Sequence, residues 1–259
     1  MINFQPIHYS KEQRSFNVTI LLAENISKKI KRKGILKDIN FSLEKGEIVG
    51  LIGENGAGKT TLMKVILGLT NYQNGVMKVK SKEVPNVNHS SIKIGALIEH
   101  PGIYPFLTGY DNLNLFFEGK NNEEINHIIS DLNMSEFVHK KAKTYSLGMK
   151  QKLGIALSFL NNPKMIFLDE PMNGLDPQAI RDVRNAILKL ADKGVAFFIS
   201  SHILSELEKV TNTLLILNKG EIISKTTVEE IKKDAEDGDL ETAFLQILDA
   251  KKHTGSEEV

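Results

Sequence analysis

Apolar residues along this chain form short runs that alternate with helical patterns. The runs EIVGLIG (47–53), KMIFLDE (164–170) and VAFFISS (195–201) have the length and composition of buried strands. The intervening segments 59–70 and 177–193 carry apolar residues at helical spacing. One helical face of the first segment should hold Leu62, Val65, Ile66 and Leu69. Strands that alternate with helices predict an α/β fold whose mainly parallel sheet has helices on both faces.

The rest of the chain predicts further elements around this core. Two strands should cover 18–26 and 35–45, joined by KKIKRKG (28–34), a basic and solvated hairpin turn. The other expected elements are a polar hairpin region at 71–93, a strand at 92–98, mostly helix at 108–160, a helix through Leu204 to Val210 and a hairpin at 213–223. We expect a single domain over residues 18–250, preceded by a loosely ordered extension at 1–17 and followed by a flexible tail at 251–259.

Composition narrows the possible classes of protein. Hydrophobic residues make up 41% of the 259 residues, enough for a sizeable core. Lys and Arg total 33 against 32 Asp and Glu, a balance that argues against a nucleic-acid partner. The chain has no cysteine, so disulfides and thiolate metal sites are excluded. No apolar run approaches the ~20 residues of a membrane-spanning helix, and we expect a soluble cytoplasmic protein.

The segment GENGAGKT (53–60) matches the pattern G-x-x-x-x-G-K-[ST] between a predicted strand and a predicted helix. Its glycines let backbone amides point at phosphate oxygens, and the following helix adds its N-terminal partial charge. Lys59 should lie along the phosphates, and the Thr60 hydroxyl should bind Mg²⁺. The expected nucleotide-binding residues here are Gly53, Glu54, Asn55, Gly56, Ala57, Gly58, Lys59, Thr60 and Thr61. The alternative is an ordinary glycine-rich turn, which the two correct flanks make the weaker interpretation.

Two later strands end in polar residues at the edge where open α/β sheets bind ligands. Asp169 is expected to hold Mg²⁺ through water, and Glu170 to polarise an attacking water. His202 ends a strand in the same layer and could donate a hydrogen bond to the terminal phosphate. Paired acids at a strand end are otherwise simply solvated, and a phosphate loop nearby favours the catalytic interpretation.

From about Val18 onward the chain resembles the ATP-binding subunits of ABC transporters. The resemblance rests on GENGAGKTT, YSLGM (145–149), MIFLDEP, NGLDP (173–177) and SSH (200–202), in that order. It implies a P-loop NTPase core of the ABC type with an N-terminal antiparallel β-subdomain and a helical subdomain inserted at about 100–160. It further implies a head-to-tail homodimer that holds two ATP molecules with Mg²⁺. Ser146 and Gly148 of one chain would meet the ATP bound by the other, with Asp176 at the seam between the two sites. Ser146 also has the position of a helix N-cap, and Asp176 should cap the helix that begins at Pro177, a role compatible with a place at the seam.

Four positions depart from the usual family pattern: Leu147, Met149, Ile30 and Glu99. Leu147 and Met149 replace a glycine and a glutamine of the signature segment, and we interpret that change as tolerated. Ile30 stands where an aromatic ring normally stacks on adenine, so apolar contact would remain without ring stacking.

Within IGALIEHPGIYP (94–105), Glu99 falls at the family's usual glutamine, which contacts Mg²⁺ or the attacking water. A carboxylate can still serve a hard cation, so Glu99 is expected to be catalytic and to bind metal. This substitution resembles the branch that moves peptide antibiotics, as in lantibiotic immunity and bacitracin resistance. We expect export or expulsion of such peptides through separate permease subunits that handle the cargo, with this chain peripheral on the cytoplasmic side of the membrane. A non-transport ABC ATPase, such as an iron–sulfur assembly factor, and an exporter of another substrate class remain the alternatives.

Aromatic residues are dense after Glu99. We expect most of them to be core of the helical subdomain. The family resemblance implies that the exposed ones form the groove that receives a short permease helix. The five are Tyr104, Phe106, Tyr110, Phe116 and Phe117.

Overall fold

The computed structural model describes residues 18–211, 213–233 and 238–254. The predicted extension at 1–17 and the last five residues of the predicted tail lie outside these ranges. The strands are β1 (Thr19–Ile30), β2 (Lys33–Glu44), β3 (Ile48–Ile52), β4 (Asn74–Val79), β5 (Lys82–Val84), β6 (Ile94–Leu97), β7 (Met165–Asp169), β8 (Ala196–Ser200), β9 (Thr213–Asn218) and β10 (Glu221–Thr227). The helices are α1 (Lys59–Ile66), α2 (Gly109–Phe116), α3 (Glu123–Asp131), α4 (Leu147–Phe159), α5 (Pro177–Asp192), α6 (Leu204–Leu207), α7 (Val228–Lys233) and α8 (Leu240–Thr254).

A six-stranded sheet in the order β10-β9-β3-β8-β7-β6 forms the centre of the fold. Its strands pair in parallel from β9 to β6, and β10 adds an antiparallel edge. The three strands β3, β7 and β8 are buried along their whole length, which is why they are continuous apolar runs rather than alternating ones. The α/β class with a mainly parallel sheet is thereby confirmed.

An antiparallel sheet in the order β2-β1-β4-β5 forms the predicted N-terminal subdomain. Its first hairpin is tighter than the predicted turn at 28–34, because β1 extends to Ile30 and Ile30 pairs directly with Lys33. Lys28 is also not solvated: it is 7% exposed, and its Nζ donates to Thr70 Oγ1 at 2.9 Å and to the carbonyl of Asn71. The side chain of Lys28 therefore connects β1 to the segment after α1 by hydrogen bonds.

Side chains from alternate positions of the central strands pack into two cores, one on each face of the sheet. Phe167 and Phe198 pack with α1 and the antiparallel sheet. Ile166 and Phe197 pack with α4 and α5 on the other face. Helices α2, α3 and α4 lie in the segment predicted to be mostly helical, 108–160. No helix in the described part of the chain has the length and apolar character to cross a membrane.

Three helix ends differ from the sequence predictions. Leu69 is 62% exposed instead of buried, because α1 ends at Ile66 and Gly68 adopts a positive φ of 71°. The amide of Leu69 then bonds back to the carbonyl of Lys64 at 2.8 Å, a typical glycine-terminated helix end. Helix α6 stops at Leu207 rather than Val210, and turns follow it. Helix α8 continues to Thr254, four residues into the segment expected to be a tail.

Candidate active site

The loop between β3 and α1 curls tightly around its own backbone. A Cβ on Gly53 would lie 2.3 Å from the carbonyl oxygen of Leu217, so only glycine fits there. Gly56 and Gly58 have positive φ angles of 81° and 113°, in the region that glycine adopts without strain. Gly58 is the N-cap of α1 and offers no side-chain acceptor. The first amides of α1 therefore remain available to an anion.

Lys59 lies inside this loop. Its side chain is buried with 8% exposure, and its Nζ donates to the carbonyl oxygens of Gly53 at 2.7 Å and Glu54 at 3.4 Å. No acid of the described residues pairs with this buried ammonium, and such a lack of countercharge favours an incoming phosphate. Of the other predicted loop residues, Glu54, Asn55 and Gly56 are exposed, Ala57 is buried, and Gly58, Thr60 and Thr61 are half-buried.

Asp169 ends β7 directly below the loop. Its carboxylate is 7% exposed and accepts hydrogen bonds from the hydroxyls of Thr60 at 2.8 Å and Ser200 at 2.6 Å. The register that pairs Asp169 with Ser200 on β8 brings the second hydroxyl into place. Carboxylate and hydroxyl oxygens suit a hard cation, so Thr60 and Asp169 fit the ligand set that Mg²⁺ requires.

Glu170 follows Asp169 and turns its side chain toward the end of β8. Its φ of 50° is unusual for a residue other than glycine, and its amide donates to Ser200 Oγ at 3.0 Å. Its carboxylate accepts from the backbone amide of His202 at 3.1 Å and lies 2.7 Å from His202 Nδ1. The structure thus brings Glu170 and His202 together, with the carboxylate the more buried of the two side chains.

Glu99 lies on the same sheet edge, since it follows β6, the parallel neighbour of β7. Its Oε1 is 2.7 Å from the Nζ of Lys64 on α1, and this ion pair lowers the pKa of Glu99. Glu99 also has a positive φ of 60°. Among the described residues the Glu99 carboxylate forms an ion pair with Lys64. The hydroxyl of Thr60 bonds to Asp169 instead, so Glu99 lies apart from those two expected metal ligands in the hydrogen-bond pattern.

The signature segment forms the start of α4. Ser146 is the N-cap, as its position indicates, and its Oγ accepts from the amide of Met149 at 3.2 Å. Leu147 is 69% exposed. Gly148 packs so closely that an added Cβ would lie 3.0 Å from the carbonyl of Gly174.

A buried glutamine ties this helix to the loop after β7. Gln151 is 9% exposed, and its Nε2 donates to the carbonyl oxygens of Glu170 at 3.3 Å and Pro171 at 3.2 Å. The backbone of Glu170 therefore rests on α4 of the same chain.

Asp176 caps α5. Its Oδ1 accepts from the amides of Gln178 and Ala179, both at 2.9 Å, and Pro177 occupies the first helical position. These bonds, that of Ala179 first, lower the pKa of Asp176. The side chain is exposed on the same loop that contacts α4.

Ile30 lies at the tip of the first hairpin and is 50% exposed. The start of β2 in this hairpin packs against the phosphate loop. An added Cβ on Gly58 would lie 3.1 Å from Leu36 Cδ2 and 3.3 Å from the carbonyl oxygen of Ile35. The hairpin thus borders the loop, with an apolar side chain where the resemblance expects contact with adenine.

Comparison with known proteins identifies the family. A model of the ABC transporter family matches residues 36–173, more than half of the 259 residues. The chain belongs to the ABC transporter family. Its fold and its resemblance to ABC ATP-binding subunits are confirmed, and it is accordingly an ATP-binding protein and an ATPase.

Two curated relatives of this ABC protein carry names from the expected branch. The bacitracin transport ATP-binding protein BcrA of Enterococcus faecalis is 34% identical over 88% of this chain and 78% of its own. The lantibiotic transport ATP-binding protein SrtF of Streptococcus pyogenes is 37% identical over 79% of this chain and 89% of its own. A solved ATP-binding subunit of an ABC transporter superposes with a TM-score of 0.75 at 29% identity, covering 83% of this chain and 92% of that one.

Three residues of this ABC protein's site were not assigned from the sequence. Ser200 could have been assigned, because it ends a buried strand beside the one that ends in Asp169. The sequence indication for Lys64 is weaker: this residue lies four residues after Thr60, on the same face of α1. Gln151 could not have been assigned, because a helical pattern does not show which polar residue reaches a carbonyl of another loop.

Proposed function

We propose that two copies of this chain form a head-to-tail dimer that binds and hydrolyses two ATP molecules at their interface, and that this cycle powers the expulsion of antimicrobial peptides by separate permease subunits. The observation that carries the proposal is the division of the site within one chain. Hydrogen bonds connect the phosphate loop to Asp169, and Ser200 connects Asp169 to the amide of Glu170. In the described residues no hydrogen bond or ion pair joins Ser146–Gly148 to that loop. An exposed helix N-terminus on a second copy would supply the missing wall.

Each residue of the phosphate side then has a role in ATP hydrolysis. Lys59 and the first amides of α1 bind the triphosphate. Thr60 and Asp169 hold Mg²⁺, which neutralises phosphate charge when it is bound. Glu170 orients the attacking water and accepts its proton. His202, already on the Glu170 carboxylate, donates to the terminal phosphate.

The permease would dock on the exposed aromatic surface that follows Glu99. Of the five aromatic residues expected there, Tyr110 and Phe117 are half-buried against the core and the other three are exposed, so the expectation that most are core is wrong. Tyr104, Phe106 and Phe116 are 52%, 76% and 43% exposed, and Leu115 beside them is 55% exposed. The rings of Tyr104 and Phe116 stack at 6.1 Å. Such a rigid aromatic patch suits an amphipathic permease helix and would hold the chain on the cytoplasmic face of the membrane.

The peptide cargo is proposed from the relatives and from Glu99. The names of BcrA and SrtF refer to the transport of bacitracin and of a lantibiotic, which are peptide antibiotics. Glu99 is the family departure that resembles the same branch. The cargo would be bound by the permease, so none of the residues described above is expected to contact it.

Light scattering of a Glu170→Gln variant with ATP tests the dimer. The variant should bind ATP without turnover and so accumulate as the ATP-bound dimer. Its measured mass should therefore be that of a dimer with ATP and that of a monomer without it. Adding Leu147→Glu should keep the ATP-loaded variant monomeric, because a carboxylate would face the partner's phosphates. Leu115→Glu is the matched control, since this leucine is also exposed on a helix but lies on the permease surface. If the Glu170→Gln single variant stayed monomeric with ATP bound, the proposed dimer would be contradicted.

A sensitivity assay tests the cargo. Cells that express this chain with its permease should tolerate more bacitracin or lantibiotic than cells that carry Glu170→Gln. Their tolerance of a non-peptide antibiotic should be the same. Equal sensitivity to the peptides would remove the cargo assignment and leave the ATPase intact.

A further inference from the structure

An ion pair between Lys64 and Glu99 joins α1 to the loop after β6. Lys64 Nζ lies 2.7 Å from Glu99 Oε1, with the two side chains 31% and 56% exposed. His100, the next residue, is the other charged or titratable group that acts on Glu99. The sequence gives no reason to pair these residues, which are separated by 34 intervening positions (65–98).

This pair lies next to the residues that would hold nucleotide. Lys64 is one helical turn beyond Thr60 on the same face of α1, and the Thr60 hydroxyl bonds to Asp169. Leu97 of β6 is in register with Leu168 of β7, so Glu99 and Glu170 each follow their strand at the same height. The carboxylate of Glu99 therefore adds a negative charge at the edge that receives the triphosphate.

The backbone at Glu99 adopts a conformation that favours glycine over a residue with a side chain. Its φ of 60° is in the left-handed region, where residues with a side chain are strained. The amide of His100 bonds to the carbonyl of Ile98 at 2.7 Å and closes this tight turn. A glycine would adopt the turn without strain, whereas glutamate adds a carboxylate directed at α1.

We propose that Lys64 is a positioning residue for the nucleotide site: it cancels the charge of Glu99 and holds that carboxylate against α1, so that ATP meets a neutral pair. The inference rests on the proposed nucleotide site. A carboxylate alone at this edge would repel the triphosphate, whereas an uncharged glutamine would need no partner. Lys64 thereby makes the glutamate compatible with ATP binding.

A double-mutant cycle on ATP affinity tests the inference. Titrations with a fluorescent ATP analogue, without Mg²⁺ and at low salt, would compare the parent with Lys64→Met, Glu99→Gln and the double variant. Lys64→Met should weaken binding by about 3- to 10-fold, and added salt should shrink the loss because both groups are partly exposed. Glu99→Gln should tighten binding by a similar factor, and the double variant should return to within about twofold of the parent. Lys64→Arg should behave like the parent.

Equal weakening by Lys64→Met in both backgrounds would overturn the inference, because Lys64 would then act without Glu99. The matched control is Lys93→Met, which breaks an exposed pair with Glu118 at the opposite end of β6 and should leave ATP affinity unchanged. The Lys59→Ala variant separates this failure from that of the proposed function. If it bound ATP as tightly as the parent, the phosphate site itself would be wrong and both proposals would fall. If it lost affinity while the cycle showed no coupling, only the role of Lys64 would be removed.

Discussion

The phosphate side and the signature side of this chain differ in how their polar groups are partnered. On the phosphate side, Lys59 and Asp169 are 8% and 7% exposed, and each bonds to a group that belongs to the site itself. On the signature side, Ser146 and Asp176 are exposed and use their oxygens to cap their own helices. The first arrangement is organised to bind a ligand from within one chain. The second is an exposed surface whose two helix ends are fixed by their own caps, and in the proposed dimer it would contact the partner's ATP.

A direct physical link joins these two sides. The amide of Gln151, on the signature helix, supports the carbonyls of Glu170 and Pro171. Leu147 approaches the same loop, since a Cβ on Gly174 would lie 2.7 Å from its Cδ2. In the proposed dimer, each chain's signature serves the partner's ATP, while the same helix supports its own Glu170. A displacement of α4 in one site could therefore reach the catalytic carboxylate of the other.

The largest effect should come from Glu170→Gln on the phosphate side. Removal of the proposed general base should lower ATP turnover by roughly 10²–10⁴-fold. ATP affinity should change little, because the amide keeps an oxygen for the His202 backbone. Phosphate release at saturating ATP measures the first quantity, and an equilibrium titration measures the second.

Glu136→Gln serves as the control for Glu170→Gln, since Glu136 is exposed and outside the site. If Glu170→Gln turned over ATP at the parent rate, Glu170 would not be the base. The phosphate side would then lack the base that is proposed for it.

A smaller effect should follow from Gln151→Leu, which removes the link while keeping the volume. Two carbonyls would lose their partner, at a cost of about 1–2 kcal/mol in unfolding free energy. Turnover should fall several-fold at unchanged ATP affinity, because Glu170 loses its support and Lys59 does not. Urea unfolding and steady-state hydrolysis would measure the two effects.

Lys150→Leu is the matched control for Gln151→Leu, on the same helix and partly exposed. If Gln151→Leu lost stability but hydrolysed ATP at the parent rate, Gln151 would support the fold and nothing more. The two sides of the site would then act independently.

The sequence predicted the parts of this site that depend on local pattern. A strand, a glycine loop and a helix are contiguous in sequence, so the position of Lys59 follows from the motif alone. Asp169 and Glu170 follow because parallel strands end at one edge of a sheet. Ser146 and Asp176 follow from capping chemistry, since each precedes a helical pattern by one residue.

The missed features depend on distances that no local pattern encodes. The strand order β10-β9-β3-β8-β7-β6 decides that Ser200 lies beside Asp169. The pairing of Lys64 with Glu99 requires the packing of α1 against the end of β6. The error at Leu69 was avoidable, because a glycine at position 68 is a typical helix end and moves the next residue off the buried face.

The smallest effect should come from Asp176→Asn on the signature side. Asparagine can still cap α5, so the fold should survive with only a slightly lower urea midpoint at neutral pH. The pKa of Asp176 is lowered in the folded chain, first by the amide of Ala179. The stabilising contribution of its charge is therefore fully present above the unfolded pKa of about 3.9 and is lost as the pH falls through the lower folded value. The gap between the urea midpoints of parent and variant should stay constant from about pH 8 to pH 5 and narrow below about pH 4. If the gap instead widened on acidification, the charge of Asp176 would destabilise the folded chain, contrary to the charge-assisted cap that its bonds to Gln178 and Ala179 indicate.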